Sequence, residues 1–243
     1  MTGLVRALQE LGVSFAKAEA RVLCYHEVRS RQRFLAQMAF LVERRPAVLT
    51  MAEFTGWVRR GQPIRSPAVA LTFDHGYGSQ LDNALPVLEA LKLPATFFPV
   101  WGSPASSVGR HDLAALAAAG YTIGCHTQTH ADLTTLSPGD LEREVVDAKR
   151  LLEDVVGHEV TAFCYPHGHR NSRVAAAVQR AGFHVAFTVD LGGVRSGDDP
   201  YQLRRIAILG EPGRRAFTAC LQGTRFIAGG VLLGCKIRER FLK

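Results

Sequence analysis

The strongest constraint in this sequence is an alternation. Short apolar runs of strand length recur between segments that read as helices. The strand-like runs are Val22 to Tyr25, Ala68 to Phe73, Ala95 to Phe98, Tyr121 to Cys125, Thr161 to Cys164, Val185 to Thr188 and Leu203 to Ile208. Between them, Phe34 to Glu43, Met51 to Arg60, Gln80 to Leu91, His111 to Ala119, a long segment capped by Ser137, and Asn171 to Ala181 read as helices. Thr50-Met-Ala-Glu53 is a capping box, in which a hydroxyl and a carboxylate satisfy free N–H groups of the first turn. Pro138 suits a first helical turn, and Gly120 and Gly182 supply stops. Such alternation predicts an α/β fold.

The polar clusters recur in one kind of place. Asp74-His75, His126/His130 and His167/His169 each directly follow a strand. In a parallel α/β barrel the carboxyl ends of the strands gather at one face, where active sites form. Three segments distant in sequence thus aim chemistry at a common rim.

Composition narrows the function classes. With 243 residues, 47% apolar and 21% charged, the chain can form one α/β domain with a substantial core. We read residues 21–210 as that domain, 1–20 as an N-terminal helical extension and 211–243 as a basic helical tail. The net charge is +7, with arginines crowding both ends and a middle closer to neutral. No basic segment is interleaved with aromatic residues, so no nucleic-acid partner is expected. The five cysteines are widely spaced and form no CxxC pair. That fits reduced thiols and a cytoplasmic setting rather than a disulfide framework. Met1 to Ala20 has no apolar run of signal-peptide length. Phe226 to Cys235 is apolar but only about half as long as a membrane span. The basic segment Lys236 to Lys243 follows it. That pairing suits either a terminal helix packed on the domain or peripheral contact with a membrane.

Taken singly, each motif has an ordinary alternative. His126 and His130 can share a metal ion, but surface pairs of this spacing are common. Zinc favours imidazole, usually with a third protein ligand and an open water position. Asp74 ends an apolar strand, and Gly76 permits a sharp exit. The carboxylate is either a turn cap or a general base acting on metal-bound water. Phe163-Cys-Tyr-Pro-His-Gly-His169 is either a strand-to-helix loop or a rigid wall whose N–H groups face a developing oxyanion.

Together these residues resemble the polysaccharide deacetylase, or NodB-homology, family (carbohydrate esterase family 4). Leu71 to Tyr77 is similar to its Thr-Phe-Asp-Asp-Gly motif, His126 to His130 to its paired-histidine motif, and Phe163 to Gly168 to its Tyr-Pro-x-Gly form. Ala84 to Leu88 and Leu93 to Phe98 resemble its helix and second core strand. Cys24-Tyr-His-Glu-Val28 and the segment from Gly192 to Ile206 resemble the opening and closing of the branch containing biofilm polysaccharide deacetylases. The resemblance runs from about Val22 to Ile208. It implies a single-domain distorted (β/α) barrel of the NodB-homology type and hydrolysis of N-acetyl groups on sugars. Carried over, it implies Asp74 as catalytic base and His126 and His130 as metal ligands. It also implies a groove wall of Tyr165, Pro166 and Gly168 with Tyr77 near it; His167, within the same motif and on the same rim as His169, is a further expected substrate contact.

Two departures stand out. The family's third ligand is the second Asp of its first motif, and here it is His75. A three-histidine site is chemically sound and suits zinc, but leaves the ion's charge uncompensated by its ligands. The family's closing segment, whose histidine serves as general acid, is also absent: no histidine follows Ile208. His169, on the same rim, is the expected replacement, and His26 also stands near a strand end. The expectation is a zinc-dependent hydrolase that deacylates an amino sugar of a polysaccharide, oligosaccharide or lipid-linked glycan. The rival is a sugar-binding relative in which His75 marks loss of the metal site.

Overall fold

The strands pair as their apolar pattern requires. The computed structural model describes residues 20–221 apart from 63, 66 and 103–105, together with the backbone of two short strands beyond them. Strands β1 (Ala20–Tyr25), β3 (Ala68–His75), β4 (Thr96–Pro99), β5 (Thr122–Ile123), β6 (Ala162–Cys164), β7 (Val185–Leu191) and β8 (Leu203–Ala207) are parallel, in the order β5-β4-β3-β1-β8-β7-β6. A two-residue β2 (Ala47–Val48) pairs with the start of β3. A parallel bridge between Cys125 and Phe163 links the outer strands. The sheet is thus nearly closed into the expected distorted (β/α) barrel.

The helices match their sequence signals. They are α1 (Arg31–Arg44), α2 (Met51–Arg60), α3 (a wide turn Gln80–Ala84 continued by Leu85–Leu91), α4 (Arg110–Ala118), α5 (Pro138–Glu142, a wide turn Arg143–Asp147, then Ala148–Val156), α6 (Ser172–Arg180) and α7 (Arg214–Leu221). The Thr50–Glu53 capping box is formed, and Ser137 and Asn171 cap their helices. Among the described residues no helix is long and apolar enough to cross a membrane.

Period-two alternation sorts each strand into two faces. On β3, Val69, Leu71 and Phe73 pack outward with the helices. Ala68 and Ala70 turn inward, so Thr72 and Asp74 above them also face the barrel interior. The small inner residues Ala20, Ala68, Ala70 and Ala162 leave room for Phe54 and Trp57 of α2. Phe54 meets Phe187 at a ring separation of 5.7 Å, and Phe98 meets Phe187 at 5.8 Å. The apolar fill ends below Asp74, which is itself buried.

The C-terminal expectation needs correction. Helix ends at Leu221, and Arg225–Ile227 (β9) and Gly230–Leu232 (β10) form an antiparallel pair. Helix α7 is no loose tail: Phe217 and Cys220 are buried, and Phe217 meets Phe40 of α1 at 6.3 Å. The helix expected over the first twenty residues lies outside the described residues, apart from Ala20, which begins β1.

Candidate metal centre

Three imidazoles converge where β3 and β5 end. His75, His126 and His130 each offer a ring nitrogen, all within 4.8 Å of one another. The bridge at Cys125 sets the exit of β5 against that of β6, so His126 Nδ1 lies 2.9 Å from the Cys164 carbonyl oxygen. A carbonyl only accepts, so Nδ1 carries the proton and Nε2 keeps a free lone pair. His75 Nδ1 lies 2.8 Å from the Tyr77 hydroxyl, and where that hydroxyl accepts, Nε2 keeps its lone pair. Fixing imidazoles through their second nitrogen is how proteins orient metal ligands. The donor set of three neutral imidazoles fits a divalent ion such as zinc.

The loops are held in uncommon conformations. His75, Thr127, His130 and His167 have positive φ, four of the seven such non-glycine residues described. Each costs on the order of 1 kcal/mol and persists only where surroundings enforce it. Buried Glu144 of α5 supplies part of that enforcement. Its Oε2 accepts the Gln128 and Thr129 N–H groups at 2.9 Å each, and its Oε1 accepts the Thr129 hydroxyl. Thr127 Oγ1 accepts the His130 N–H at 3.0 Å.

Below the imidazoles lies a buried ion pair that sequence reasoning missed. Arg205 of β8 donates to Asp74 Oδ1 at 2.8 Å and Oδ2 at 2.6 Å. The Cys24 and Cys164 thiols approach Oδ2 at 3.3 and 3.6 Å. Burial opposes charge on Asp74, but the charge and hydrogen bonds of Arg205 outweigh it, with help from His126 and His26. The carboxyl is therefore held well below the usual carboxylate range. A faint signal was present: alternation sets Arg205 on the same inward face as Leu203. The paired arginines of Leu203-Arg-Arg-Ile206 did not reveal which of them turns inward.

Further histidines extend the cluster. The His26 ring stands 5.0 Å from His75, with Nδ1 buried and unpartnered. Its ring nitrogen shares a 4.8 Å neighbourhood with Asp74 and Cys24. His167 meets His130 at 4.5 Å and His169 at 5.6 Å. His169 Nδ1 lies 2.7 Å from Asp132 Oδ2, on the exposed rim.

The expected groove lining is partly corrected. Tyr165 is fully buried, its hydroxyl donates to the Tyr201 carbonyl at 3.2 Å, and its ring packs on Phe163. Its side chain supports the wall from behind rather than lining it. Pro166 and Gly168 are also buried and shape the loop. Gly168 has φ +71, and a Cβ there would lie 2.5 Å from Val189 Cγ2, so only glycine fits. The Gly168 and His169 N–H groups donate to the Tyr165 and Pro166 carbonyls at 3.0 Å. They are not free to face an oxyanion. Tyr77 and His167 remain partly exposed.

Burial, with neighbouring histidines, lowers the ordinary histidine value to about 4 at His75 and His130. Protons should therefore compete with metal only in strongly acid solution. Metal affinity is expected to stay level from neutral pH to about 5 and fall below that. The metal-free protein should lose stability as pH falls from about 6.5 towards 4, because the unfolded chain then binds more protons. Metal titrations and thermal melts of the apo protein across this range check both. A midpoint for metal loss near 6.5 would contradict the burial of these rings.

A family model described as polysaccharide deacetylase matches residues 61–186, just over half of the chain. YxkH of Bacillus subtilis (strain 168), a protein named for the same family, is 26% identical over 221 residues, covering 86% of this chain and 78% of the relative. A poly-beta-1,6-N-acetyl-D-glucosamine N-deacetylase of Staphylococcus epidermidis is 26% identical over 196 residues, covering 73% and 66%. Among solved structures, the deacetylase PplD of Streptococcus pyogenes superposes with a TM-score of 0.78 at 21% identity, covering 86% of this chain and 99% of that one. IcaB from Ammonifex degensii gives 0.74 at 23%, covering 85% and 97%. At these identities the structural likenesses bear on the fold. The family model carries the assignment, and by it this chain belongs to the polysaccharide deacetylase family, hydrolases that act on the amide bond of N-acetylated sugars.

Proposed function

We propose that this protein is a divalent-metal-dependent deacylase of an amino sugar in a polysaccharide, oligosaccharide or lipid-linked glycan. The observation that carries this reading is the convergence of His75, His126 and His130 above the Asp74–Arg205 pair. These three histidines would hold the ion, and zinc suits their nitrogen donors. When bound, such an ion supplies Lewis acidity, polarising the acyl carbonyl and acidifying the attacking water.

Asp74 is the base. Oδ2 is crowded by Arg205, Cys24 and Cys164, whereas Oδ1 accepts from Arg205 and keeps acceptor capacity for the water's proton. Because Arg205 holds the carboxyl low, Asp74 passes the proton on rather than keeping it. His26, half-buried beside Asp74 with its Nδ1 buried and unpartnered, lies outside the metal set and is the first choice as donor to the departing amine. His169, paired with Asp132 on the rim, is the second. Tyr77 and His167, partly exposed beside His75 and His130, would meet the sugar.

His26→Ala should lower kcat by about 100-fold with metal content and KM unchanged. If His169→Ala shows that loss and His26→Ala does not, the rim pair is the acid. The activity itself is tested by acetate release from N-acetylglucosamine oligomers and peptidoglycan fragments with zinc-loaded protein. Protein that keeps its metal and binds these sugars, yet releases no acetate, would favour the sugar-binding reading.

A further inference from the structure

We propose that the outer face of α1, together with α7, is a docking surface for an anionic lipid bilayer, independent of the activity proposed above. Four large apolar side chains are exposed among the described residues, and three belong to this region: Leu35 and Val42 on α1, and Leu209 just before α7. Leu35, exposed Ala39 and Val42 are spaced four and three apart, so they form one stripe along the helix. Arg31, four residues before Leu35, extends that stripe at its start, Arg45 caps the helix just beyond its end, and both are exposed.

The surrounding charge selects the partner. Across residues 31–45 and 209–221 there are six arginines, Arg31, Arg33, Arg44, Arg45, Arg214 and Arg215, against two glutamates, Glu43 and Glu211. Arg44 and Arg214 both lie over the ring of Phe40, at 5.0 and 4.8 Å, which aligns α7 with α1. The loop before α7 is fastened to the same helix: Gln37 Nε2 donates to the Pro212 carbonyl at 2.9 Å. Exposed apolar side chains framed by arginine suit a headgroup layer, where the charges meet anionic lipid and the apolar groups enter the boundary. A protein partner of ordinary composition would leave most of this charge unmatched. In sequence, the chain's most membrane-compatible segment comes after α7. β9 and β10 follow α7 directly and carry Phe226, Ile227, Val231 and Leu232, and Lys236 to Lys243 adds further basic residues.

The test is flotation of the full chain with vesicles of phosphatidylglycerol and phosphatidylcholine, or of phosphatidylcholine alone, at low and high salt. Binding is expected only to the anionic vesicles and is expected to weaken with salt. Leu35→Glu/Val42→Glu and Arg31→Glu/Arg45→Glu should each weaken it by roughly tenfold or more. Arg150→Glu/Arg180→Glu, on the remote helices α5 and α6, should leave it unchanged. Matching circular dichroism melts establish that each variant is folded. Absence of binding at low salt, or equal binding by wild type and the Leu35→Glu/Val42→Glu protein, overturns the proposal. So does a Leu35→Glu/Val42→Glu protein that only changes from dimer to monomer in light scattering, because the stripe then serves a second copy of the chain.

Discussion

Replacing Arg205 by Met should destabilise the protein by about 3–5 kcal/mol, lowering its melting temperature by roughly 6–20 °C. The reason is what the substitution leaves behind. Asp74 and Arg205 are both essentially buried, with side chains 3% and 2% exposed, and each is the other's principal countercharge. Without the guanidinium, a carboxylate remains in an apolar barrel whose nearest partners are two weakly donating thiols. It must either stay charged at high cost or take up a proton and cease to be a base. Adding Asp74→Asn to Arg205→Met should recover much of the loss, since the stranded charge is then gone. Denaturant titrations of the two singles and the double measure this coupling. A loss under about 1 kcal/mol for Arg205→Met would mean the pair is solvated and the buried fork is wrong.

Asp74→Asn should reduce turnover by about 100-fold to 10,000-fold while leaving the metal in place. Asparagine matches aspartate in shape but cannot accept the water's proton. It also leaves Arg205 without its countercharge, so stability and activity must be measured together at a temperature where the variant is folded. If the folded variant hydrolyses as fast as wild type, the base is elsewhere. If instead it loses its metal, Asp74 is a ligand, and the assignment of His75, His126 and His130 as the complete set fails.

The barrel was legible because its signals are local. The Thr50–Glu53 box, the Ser137 cap and the glycines after α4 and α6 report on chemistry within one turn, and the structure carries all of them. The strand-end histidines were legible for a related reason: in a parallel barrel, position along the strand already fixes which end of the barrel a residue occupies. Contacts across the barrel interior were not legible. Asp74 and Arg205 are 131 residues apart, and nothing in either local sequence names the other. Tyr165 misled because a motif position gives the path of the backbone but not the side of it on which the ring lies. Strand β7 continues past Thr188 to Leu191, and its register shift there would not be foreseen from apolar pattern alone. Helix α7 falls within the segment expected as a tail, yet Phe217 and Cys220 sit on one face at a helical spacing of three.

His75 is where sequence and site meet. In place of a carboxylate it brings an imidazole, steered to the centre by φ 74 and oriented by Tyr77. The most direct test of the account is the metal content of the purified full chain, measured beside His75→Ala and His126→Ala. One divalent ion per wild-type chain is expected, with its loss, or weakening by about 10-fold to 100-fold, in each variant. A wild-type chain that takes up no divalent ion from a zinc-supplemented buffer, or a His75→Ala protein that holds it as tightly as wild type, would contradict it.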